Sequence, residues 1–406
     1  MSLTEHLDLR GGRVCWPEAD DSLPAADPLP RHAVDVAIVG AGVMGAMLAE
    51  RLTAAGRTVA LLDRRPPARG STAASTALVM WAADTPLTAL TETWGPAEAQ
   101  RRWRRVHAAV LELAARVATL GLDCRWASRP ELYLAGDLLD AHGLRREAAA
   151  RQAAGLPSAF LEADLVASRF GLPSRAALVS GDAFEVDPVA LTQGLLAAAA
   201  KRGATLTWPA DVTDIVTTAA GVRLTTAKGA TLDAGQAIIA TGYEAARQYL
   251  PAAFRLGSSF AIATAPGTDP AWRDEALIWE AADPYLYARG TADGRIIVGG
   301  ADEDFADPAR RDAMLDAKRA VLERRGAEML GIGELRADCA WAATFGSSPD
   351  GLPAIGRVQG QENLWLAAGF GGNGVTFASL GASLIAAALA GAPDPDEACF
   401  SPYRFG

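Results

Sequence analysis

Three glycines, Gly40, Gly42 and Gly45, stand at the spacing of a loop that binds the diphosphate of a dinucleotide. Gly40 permits a tight turn, Gly42 lets the backbone approach the diphosphate, and Gly45 lets the next helix pack closely on the strand. The N-terminus of that helix presents free N–H groups and a positive dipole end to the phosphates. Asp63 closes a second apolar run, where its carboxylate can accept hydrogen bonds from ribose hydroxyls. These residues predict a nucleotide site.

The elements that must position these residues follow the order strand, turn, helix, strand. An apolar run from Val34 to Val39 leads into the glycines, an Ala/Leu-rich helical pattern follows them, and a second apolar run extends from Val59 to Leu62. This order predicts a βαβ unit over residues 34–66. The motif alone does not separate NAD from FAD, because both dinucleotides use it.

Three further segments favour FAD. The hydroxyl-rich loop over residues 70–76 can contact the pyrophosphate and the ribityl chain, and the strand end Ala240-Thr241-Gly242 can pass behind the dinucleotide. The glycine-rich turn over residues 369–374 opens a C-terminal helix. Unpaired N–H groups at a helix start stabilise the negative charge of a reduced flavin, and comparable oxyanion donors contribute about 2.7–4 kcal/mol each. The alternative for residues 371–374 is a simple tight turn.

The composition excludes several function classes. The net charge of −10 over 406 residues argues against a nucleic-acid partner, because such partners need clustered positive charge. Four cysteines and four histidines are scattered along the chain, which argues against a metal site and fits a reducing compartment. The first twelve residues lack the pattern of a signal peptide. The apolar helical pattern over residues 375–390 is shorter than the ~20 residues that span a bilayer. We therefore expect a cytoplasmic protein without a transmembrane segment.

The nucleotide-binding signals lie in separated pieces of the chain. This separation predicts an α/β protein (α+β overall) in which a Rossmann-like FAD-binding domain is built from discontinuous segments and a mainly antiparallel β-sheet substrate domain is inserted. Local patterns also predict a helix over residues 96–120 and strands over residues 212–218 and 221–226. The predicted boundaries are 1–33 for an extended lead-in, 34–95, 160–250 and 340–406 for the FAD-binding domain, and 96–159 and 251–339 for the substrate domain.

Six segments, taken in order, resemble the D-amino-acid oxidase-like flavoproteins, the group that includes glycine oxidase and sarcosine oxidase. They span most of residues 34–391 and read VAIVGAGVMGAMLAERLTAAG, GSTAAST, IIATGY, GRIIVGG, SPDGLPAIG and LWLAAGFGGNGVTFA. The resemblance implies an FAD domain, a smaller sheet-rich substrate domain, and oxidation of a C–H bond next to nitrogen by hydride transfer to flavin N5. It also implies that FAD contacts Val43, Met44, Asp63, Arg64, Ser71, Thr72, Ser75, Thr76, Ala77, Val212, Thr241, Gly242, Gly372, Asn373, Gly374, Val375 and Thr376. The motifs themselves add Gly40, Gly42, Gly45, Gly70, Ala240 and Gly371 to the predicted cofactor site.

Three positions depart from the family pattern. Phe345 stands where glycine and D-amino-acid oxidases have an arginine that pairs with the substrate carboxylate, and a phenyl ring cannot replace that pair. Ala343 stands where monomeric sarcosine oxidase attaches its flavin through a cysteine, and Ile297 replaces its active-site lysine. These departures predict non-covalently bound FAD and call into question a simple α-amino acid bound in the usual way.

Candidate substrate-site residues lie on one predicted strand. Tyr285, Tyr287 and Arg289 alternate, so their side chains share one face of the strand. That face is predicted to look toward the flavin, with Arg289 binding a substrate anion; the alternative is a solvent-facing arginine beside two packing aromatics. Asp302 and Glu303 are paired carboxylates, although such runs are commonly solvated loops.

Four further residues are predicted to surround the reaction centre. Met80 and Trp81 follow the hydroxyl-rich loop and can wall the pocket, and the alternative for Trp81 is a core position. Trp341 and Phe345 precede the SSPDG turn and are predicted to flank the isoalloxazine. No histidine lies in these segments, which fits hydride transfer from a neutral amine better than base-assisted alcohol oxidation.

The leading functional hypothesis is an FAD-dependent oxidase or dehydrogenase of an amine or amino acid, with that small molecule as its partner. A second hypothesis is a flavin dehydrogenase of a hydroxy acid or polyol that passes electrons to a quinone or a carrier protein. Ile297, at the position of the lysine, favours poor oxygen reactivity and so fits a dehydrogenase. A third hypothesis is a non-catalytic FAD-binding subunit of a larger complex.

Overall fold

Two β-sheets and the helices packed on them organise the computed structural model, which describes residues 6–17, 25–244, 246–270 and 272–406. The strands are β1 Arg10–Gly12, β2 Val34–Val39, β3 Val59–Leu62, β4 Leu78–Val79, β5 Ala127–Leu134, β6 Ser158–Leu161, β7 Ala177–Glu185, β8 Thr205–Thr207, β9 Val212–Thr218, β10 Gly221–Thr226, β11 Thr231–Ile239, β12 Arg255–Ala263, β13 Leu277–Glu280, β14 Leu286–Gly290, β15 Ile296–Glu303, β16 Cys339–Ser347, β17 Ala354–Arg357 and β18 Leu364–Ala368. The helices are α1 Val43–Ala54, α2 Ser71–Ala74, α3 Leu87–Trp94, α4 Pro96–Leu120, α5 Ala141–Ala153, α6 Ala163–Phe170, α7 Pro188–Lys201, α8 Ala246–Tyr249, α9 Pro308–Ala313, α10 Leu315–Leu330 and α11 Gly374–Leu389. Two short 3-10 helices cover Arg273–Glu275 and Glu397–Phe400.

The first sheet has the strand order β17-β18-β11-β2-β3-β8, and its neighbours from β18 to β8 pair in parallel. Successive side chains of β2 enter two different cores, because strand residues alternate between the two faces of a sheet. Ile38 packs into the core under α1 and α11, whereas Ala37 and Val39 pack into the core on the opposite face. Both faces are covered, which explains why β2 and β3 are apolar runs without alternation. This sheet confirms the predicted dinucleotide-binding fold.

The second sheet has the strand order β1-β16-β12-β15-β14-β13-β5-β7-β4, with β6 paired on β7. Its described pairings are antiparallel except for the parallel pair β13–β5, as expected for the inserted substrate sheet. Strands β4, β7 and β16 belong to it, although they lie in ranges that the sequence assigns to the FAD-binding domain. The chain therefore crosses between the two sheets more often than the predicted domain boundaries imply.

The lead-in contributes a strand. Strand β1 pairs with β16, with Arg10 opposite Ala343 and Gly12 opposite Trp341. The predicted lead-in over residues 1–33 is therefore part of the sheet at residues 10–12, while residues 1–5 and 18–24 lie outside the described residues. Within the ranges given above, no helix has both the length and the apolarity needed to cross a bilayer.

Candidate active site

The first glycine turn joins β2 to α1. Gly40 has a φ of +115°, which favours glycine, and a Cβ there would lie 2.3 Å from the Ala240 carbonyl oxygen. A Cβ on Gly45 would lie 1.9 Å from the Gly40 carbonyl oxygen, so the close approach of α1 to the turn requires glycine. A Cβ on Gly42 would meet only Thr72 Oγ1, at 3.0 Å. The first and third glycines therefore serve the fold, and the second faces open space.

Asp63 is fixed at the end of β3 by backbone donors. Its Oδ2 accepts a hydrogen bond from the Ala41 amide at 2.7 Å, and its Oδ1 accepts one from the Arg65 amide at 2.8 Å. Burial raises the pKa of Asp63, and the two amide donors act in the opposite direction. The carboxylate thus holds the turn and the segment after β3 in place beside the cavity that both border.

The two glycine-rich turns meet at one cavity of about 890 Å³. Gly40 and Gly42 line it from the N-terminal side, and Gly369 and Gly374 line it from the C-terminal side. Helix α11 begins at Gly374, so its unpaired N–H groups open at this wall. Two segments far apart in the sequence are therefore placed to bind a single elongated ligand.

The polar groups of this cavity fit a dinucleotide. Ser71 Oγ and Thr241 Oγ1 are buried without a hydrogen-bond partner in the described part of the chain, and both residues line the cavity. Buried polar groups are normally hydrogen-bonded, so these two hydroxyls mark positions for ligand oxygens. A smaller adjoining cavity of about 350 Å³ is lined by Arg64 and Val212. Glu244 pairs with Arg64 at 2.5 Å there.

A second large cavity of about 980 Å³ continues from the first. The two share the lining residues Ser71, Ser75, Tyr243, Gly374 and Val375. This continuity lets one ligand extend from the diphosphate turn to the wall formed by the second sheet.

Most of the predicted cofactor-binding residues border these three cavities. The two exceptions are Gly45, which packs on Gly40, and Thr376, whose hydroxyl donates to the Met80 carbonyl at 2.8 Å. The others are Gly40, Gly42, Val43, Met44, Asp63, Arg64, Gly70, Ser71, Thr72, Ser75, Thr76, Ala77, Val212, Ala240, Thr241, Gly242, Gly371, Gly372, Asn373, Gly374 and Val375.

The predicted substrate-site residues divide into two groups. The 980 Å³ cavity is lined by Met80, Tyr285, Tyr287 and Phe345. It is also lined by Ala343, which the family resemblance places where monomeric sarcosine oxidase has its flavin-linking cysteine. The other three predicted residues do not line it.

The three residues that do not line the cavity are all buried: Trp81, Trp341 and Arg289. Trp81 is fully buried and its indole N–H donates to the Gly181 carbonyl, which is the core position given as its alternative. The Trp341 indole N–H donates to the Ala74 carbonyl at 2.9 Å. Both contacts fix backbone, so neither indole nitrogen is free to bind a substrate.

Arg289 is placed differently from both sequence interpretations. It is only 2% exposed, its Nη1 donates to the Ala77 carbonyl at 2.9 Å, and its guanidinium lies over the Trp16 ring. Ala77 lines the cavity and Arg289 does not. Arg289 is therefore not solvent-facing, and its guanidinium lies behind the segment that carries Ala77 and not in the cavity wall.

Several residues that line the cavity were not predicted from the sequence, among them Asp84, Ser259 and Trp279. Burial raises the pKa of Asp84 to about 6, and the Gly372 amide, which donates to its Oδ2 at 2.7 Å, acts against this. One signal pointed to Asp84, because it is the first charged residue after the uncharged run over residues 71–83. Ser259 and Trp279 carry no comparable signal, since ordinary strand patterns contain both residue types.

Tyr285 and Tyr287 are neutral at physiological pH. Burial raises the pKa of Tyr287 to about 12 and that of Tyr285 well above its ordinary value. Asp84 is then the one lining residue of this cavity, within the described residues, that ionises near neutral pH.

A family model described as FAD dependent oxidoreductase (DAO) matches residues 35–388. The chain belongs to this family. FAD is its cofactor, and the resemblance stated from the six segments is confirmed. The hydroxyls of Ser71 and Thr241, buried without a partner in the described part of the chain, and the two glycine-rich turns at one cavity agree with that cofactor.

Solved structures of this family share the fold. Glycine oxidase from Geobacillus kaustophilus has a TM-score of 0.75 and 22% identity, with 92% of this chain and 99% of that chain covered. L-proline dehydrogenase from P. horikoshii has a TM-score of 0.74 and 19% identity, with coverage of 93% and 98%. These identities are low, so the likeness concerns the fold.

Curated relatives match over shorter segments. Glycine oxidase of Pseudomonas putida is 32% identical over 123 residues, which are 29% of this chain and 32% of that protein. The tRNA 5-methylaminomethyl-2-thiouridine biosynthesis bifunctional protein MnmC of Polaromonas naphthalenivorans is 40% identical over 57 residues, 14% of this chain and 9% of that protein. The matched segments span less than a third of either relative.

Proposed function

We propose that this flavoprotein oxidises a C–N bond of an amine or amino acid by hydride transfer to flavin N5, giving an imine that water hydrolyses. The observation that carries the proposal is the continuous cavity, which extends from the diphosphate turn to a wall of Tyr285, Tyr287 and Phe345. Relatives named glycine oxidase, L-proline dehydrogenase and iminodiacetate oxidase support a nitrogen-bearing substrate.

Bound FAD supplies a two-electron acceptor: the C–H bond next to nitrogen breaks, its electron pair leaves as hydride, and the nitrogen lone pair forms the C=N bond. The start of α11 supplies N–H groups and a positive dipole end to that part of the cavity. The aromatic wall excludes water, which protects the reacting centre and strengthens the electrostatic interactions there. No described histidine, lysine or arginine lines the substrate cavity. Among the described residues, this cavity therefore offers neither a histidine nor a lysine as a base.

Anaerobic bleaching of the flavin absorbance tests this proposal. The FAD-loaded protein is mixed with a panel of amines, amino acids and their hydroxy analogues, matched in pairs such as glycine with glycolate. We expect bleaching by at least one nitrogen compound and none by its hydroxy partner. Bleaching by hydroxy acids or polyols alone would overturn the proposal in favour of the second hypothesis.

The electron acceptor requires a separate measurement. The reduced protein is mixed with air-saturated buffer or with a soluble quinone, and the return of flavin absorbance is followed in a stopped-flow instrument. Fast reoxidation by oxygen indicates an oxidase, whereas reoxidation by the quinone alone indicates a dehydrogenase. Ile297, which the family resemblance places at the oxygen-activating lysine, packs in a buried cluster with Trp341 and does not line the cavity, so it carries no argument for either outcome.

A further inference from the structure

The wall of the 980 Å³ cavity combines a carboxyl group with aromatic rings and, in the described residues, no basic side chain. Asp84 is its acid, and Phe345 stands where the family resemblance places an arginine that pairs with the substrate carboxylate. A substrate carboxylate in this cavity would lose its hydration without gaining a cationic partner. The lining is therefore suited to a positively charged ligand.

The rings of this wall are held in fixed orientations. The Trp279 and Tyr285 rings meet edge to face with centroids 6.4 Å apart, and the Tyr285 and Tyr287 centroids are 5.9 Å apart. Behind them, Tyr133 stacks on Trp279 at 3.9 Å, and the Trp279 indole N–H donates to Glu131 Oε1 at 2.8 Å. Faces of Trp and Tyr rings attract cations through the ring quadrupole. The wall thus presents a preformed surface to a positively charged group.

Asp84 offers one free carboxylate oxygen beside these rings. Its Oδ2 accepts the Gly372 amide, whereas its Oδ1 accepts no hydrogen bond from the described part of the chain. Asp84 Oδ1 and the Tyr285 hydroxyl lie 2.7 Å and 3.4 Å from the point where a Gly372 Cβ would stand. The free oxygen and the tyrosine edge are therefore neighbours at one place on the cavity wall.

A second carboxyl group lies behind the wall. Asp302 hydrogen-bonds Ser259, which lines the cavity, and its Oδ1 is buried without a partner among the described residues. Burial and the nearby Asp84 raise the pKa of Asp302 to about 6, whereas Lys318 lowers it. Lys318 itself donates to Glu303 at 2.6 Å. One acid therefore lines this wall and a second lies directly behind it.

We propose that the substrate is an organic cation: an amine that lacks a carboxylate at its reacting carbon and whose ammonium group binds Asp84 Oδ1 and the faces of Trp279, Tyr285 and Tyr287. This inference rests on the proposed amine oxidation and names the substrate class for the same site. The substrate ammonium transfers one proton from nitrogen to Asp84 Oδ1, and the neutral amine that results keeps the lone pair that the oxidation needs. Asp84 returns the proton to solvent after the product leaves.

Binding of ions that are not oxidised tests the substrate class independently of turnover. Benzyltrimethylammonium and benzoate, which have similar size and opposite charge, are titrated into the FAD-loaded protein by isothermal calorimetry. We expect the cation to bind at least about tenfold more tightly than the anion. The Asp84→Asn substitution keeps the side-chain volume and should weaken cation binding about 30-fold, because it removes the partner charge. The Glu334→Gln substitution, at an exposed acid that does not line the cavity, should change neither affinity.

The pH dependence and a charge reversal complete the test. Asp84 and Asp302 both become charged as the pH rises, while Tyr285 and Tyr287 stay neutral, so cation affinity should rise about tenfold from pH 5 to pH 8. The Phe345→Arg substitution should tighten benzoate binding and weaken cation binding.

Two outcomes would overturn the substrate class: tighter binding of benzoate than of the cation by the native protein, or an unchanged cation affinity in the Asp84→Asn variant. Either result combined with flavin bleaching by amino acids would leave the proposed oxidation intact. Cation binding of the expected strength without bleaching by any amine would instead support this site chemistry and reject the oxidation.

Discussion

The Gly42→Ala substitution should separate FAD binding from folding. A Cβ at this position would meet only Thr72 Oγ1, at 3.0 Å, and the rest of its surroundings is the 890 Å³ cavity. At that distance the Thr72 hydroxyl needs to move by only a few tenths of an ångström. The same oxygen accepts a hydrogen bond from the Val43 amide at 3.0 Å. The FAD-free protein should therefore accept the methyl group, whereas the diphosphate should not.

The expected loss of FAD affinity follows from steric crowding between the new methyl group and the diphosphate. Inserting a methyl group into space that a ligand fills costs about 1–3 kcal/mol, which corresponds to about 5- to 150-fold weaker FAD binding. Gly42 precedes α1 with a φ of −77°, which alanine adopts without strain. The exchange of glycine for alanine at this helix start should lower the free energy of unfolding of the FAD-free protein by less than about 1 kcal/mol.

Two other glycines supply the comparison. Gly45→Ala places a Cβ 1.9 Å from the Gly40 carbonyl oxygen and should destabilise the FAD-free protein itself. Gly333→Ala has open space around its Cβ and should change neither FAD affinity nor the free energy of unfolding. FAD affinity is measured by flavin fluorescence during titration of the FAD-free protein, and stability by urea unfolding. Native FAD affinity in the Gly42→Ala variant would refute the assignment of this turn to the diphosphate.

Three further outcomes follow from buried groups. Arg289→Ala should lower the free energy of unfolding by about 1–3 kcal/mol, because it leaves the Ala77 carbonyl unpaired, and should leave KM unchanged; a raised KM would return Arg289 to the substrate site. Arg404→Ala leaves Asp350 buried without its 2.7 Å partner and should cost about 3–5 kcal/mol, measured by urea unfolding. Cys15, whose pKa burial raises to about 12, should react with iodoacetamide far more slowly in the folded than in the unfolded protein, as peptide mass analysis would show.

The cofactor half of the site could be predicted because its requirements are local. Strands β2, β3, β9 and β10 and helix α4 have the predicted bounds, since apolar runs and helical periodicity act within a few residues. The diphosphate turn is equally local: backbone geometry there admits only glycine at positions such as Gly40, with a φ of +115°. A pattern that only one residue type satisfies is visible in a single sequence.

The pairing of strands could not be predicted in the same way. Strands β7 and β16 pair with partners from distant parts of the chain, and nothing local to them distinguishes one sheet from the other. Strand β1 in the lead-in is only three residues long and contains two glycines, so its composition favours a loop. Its pairing with β16 depends on the exposed edge that β16 presents.

The surroundings of Arg289 are not determined by the pattern of its own strand. Alternation along β14 does place Tyr287 and Arg289 on one face, but it does not specify what covers each part of that face. The loop that carries Ala77 and the ring of Trp16 from the lead-in cover the guanidinium, while the Tyr287 ring stays in the cavity wall. Coverage depends on tertiary contacts between segments distant in sequence, which the local pattern does not contain.

The two halves of the site differ in how they recognise a ligand. The cofactor turns depend on backbone geometry, so their glycines have few alternatives. The substrate cavity is built from side chains on β13, β14 and β16 together with Asp84 and the C-terminal turn, and many combinations of residues fit such a scaffold. The Phe345→Arg substitution on β16 should therefore change the preferred charge of the ligand without disturbing the cofactor turns. On this reasoning the substrate class of a chain with these motifs must be determined from the charge of the cavity wall, and here that wall is acidic and aromatic.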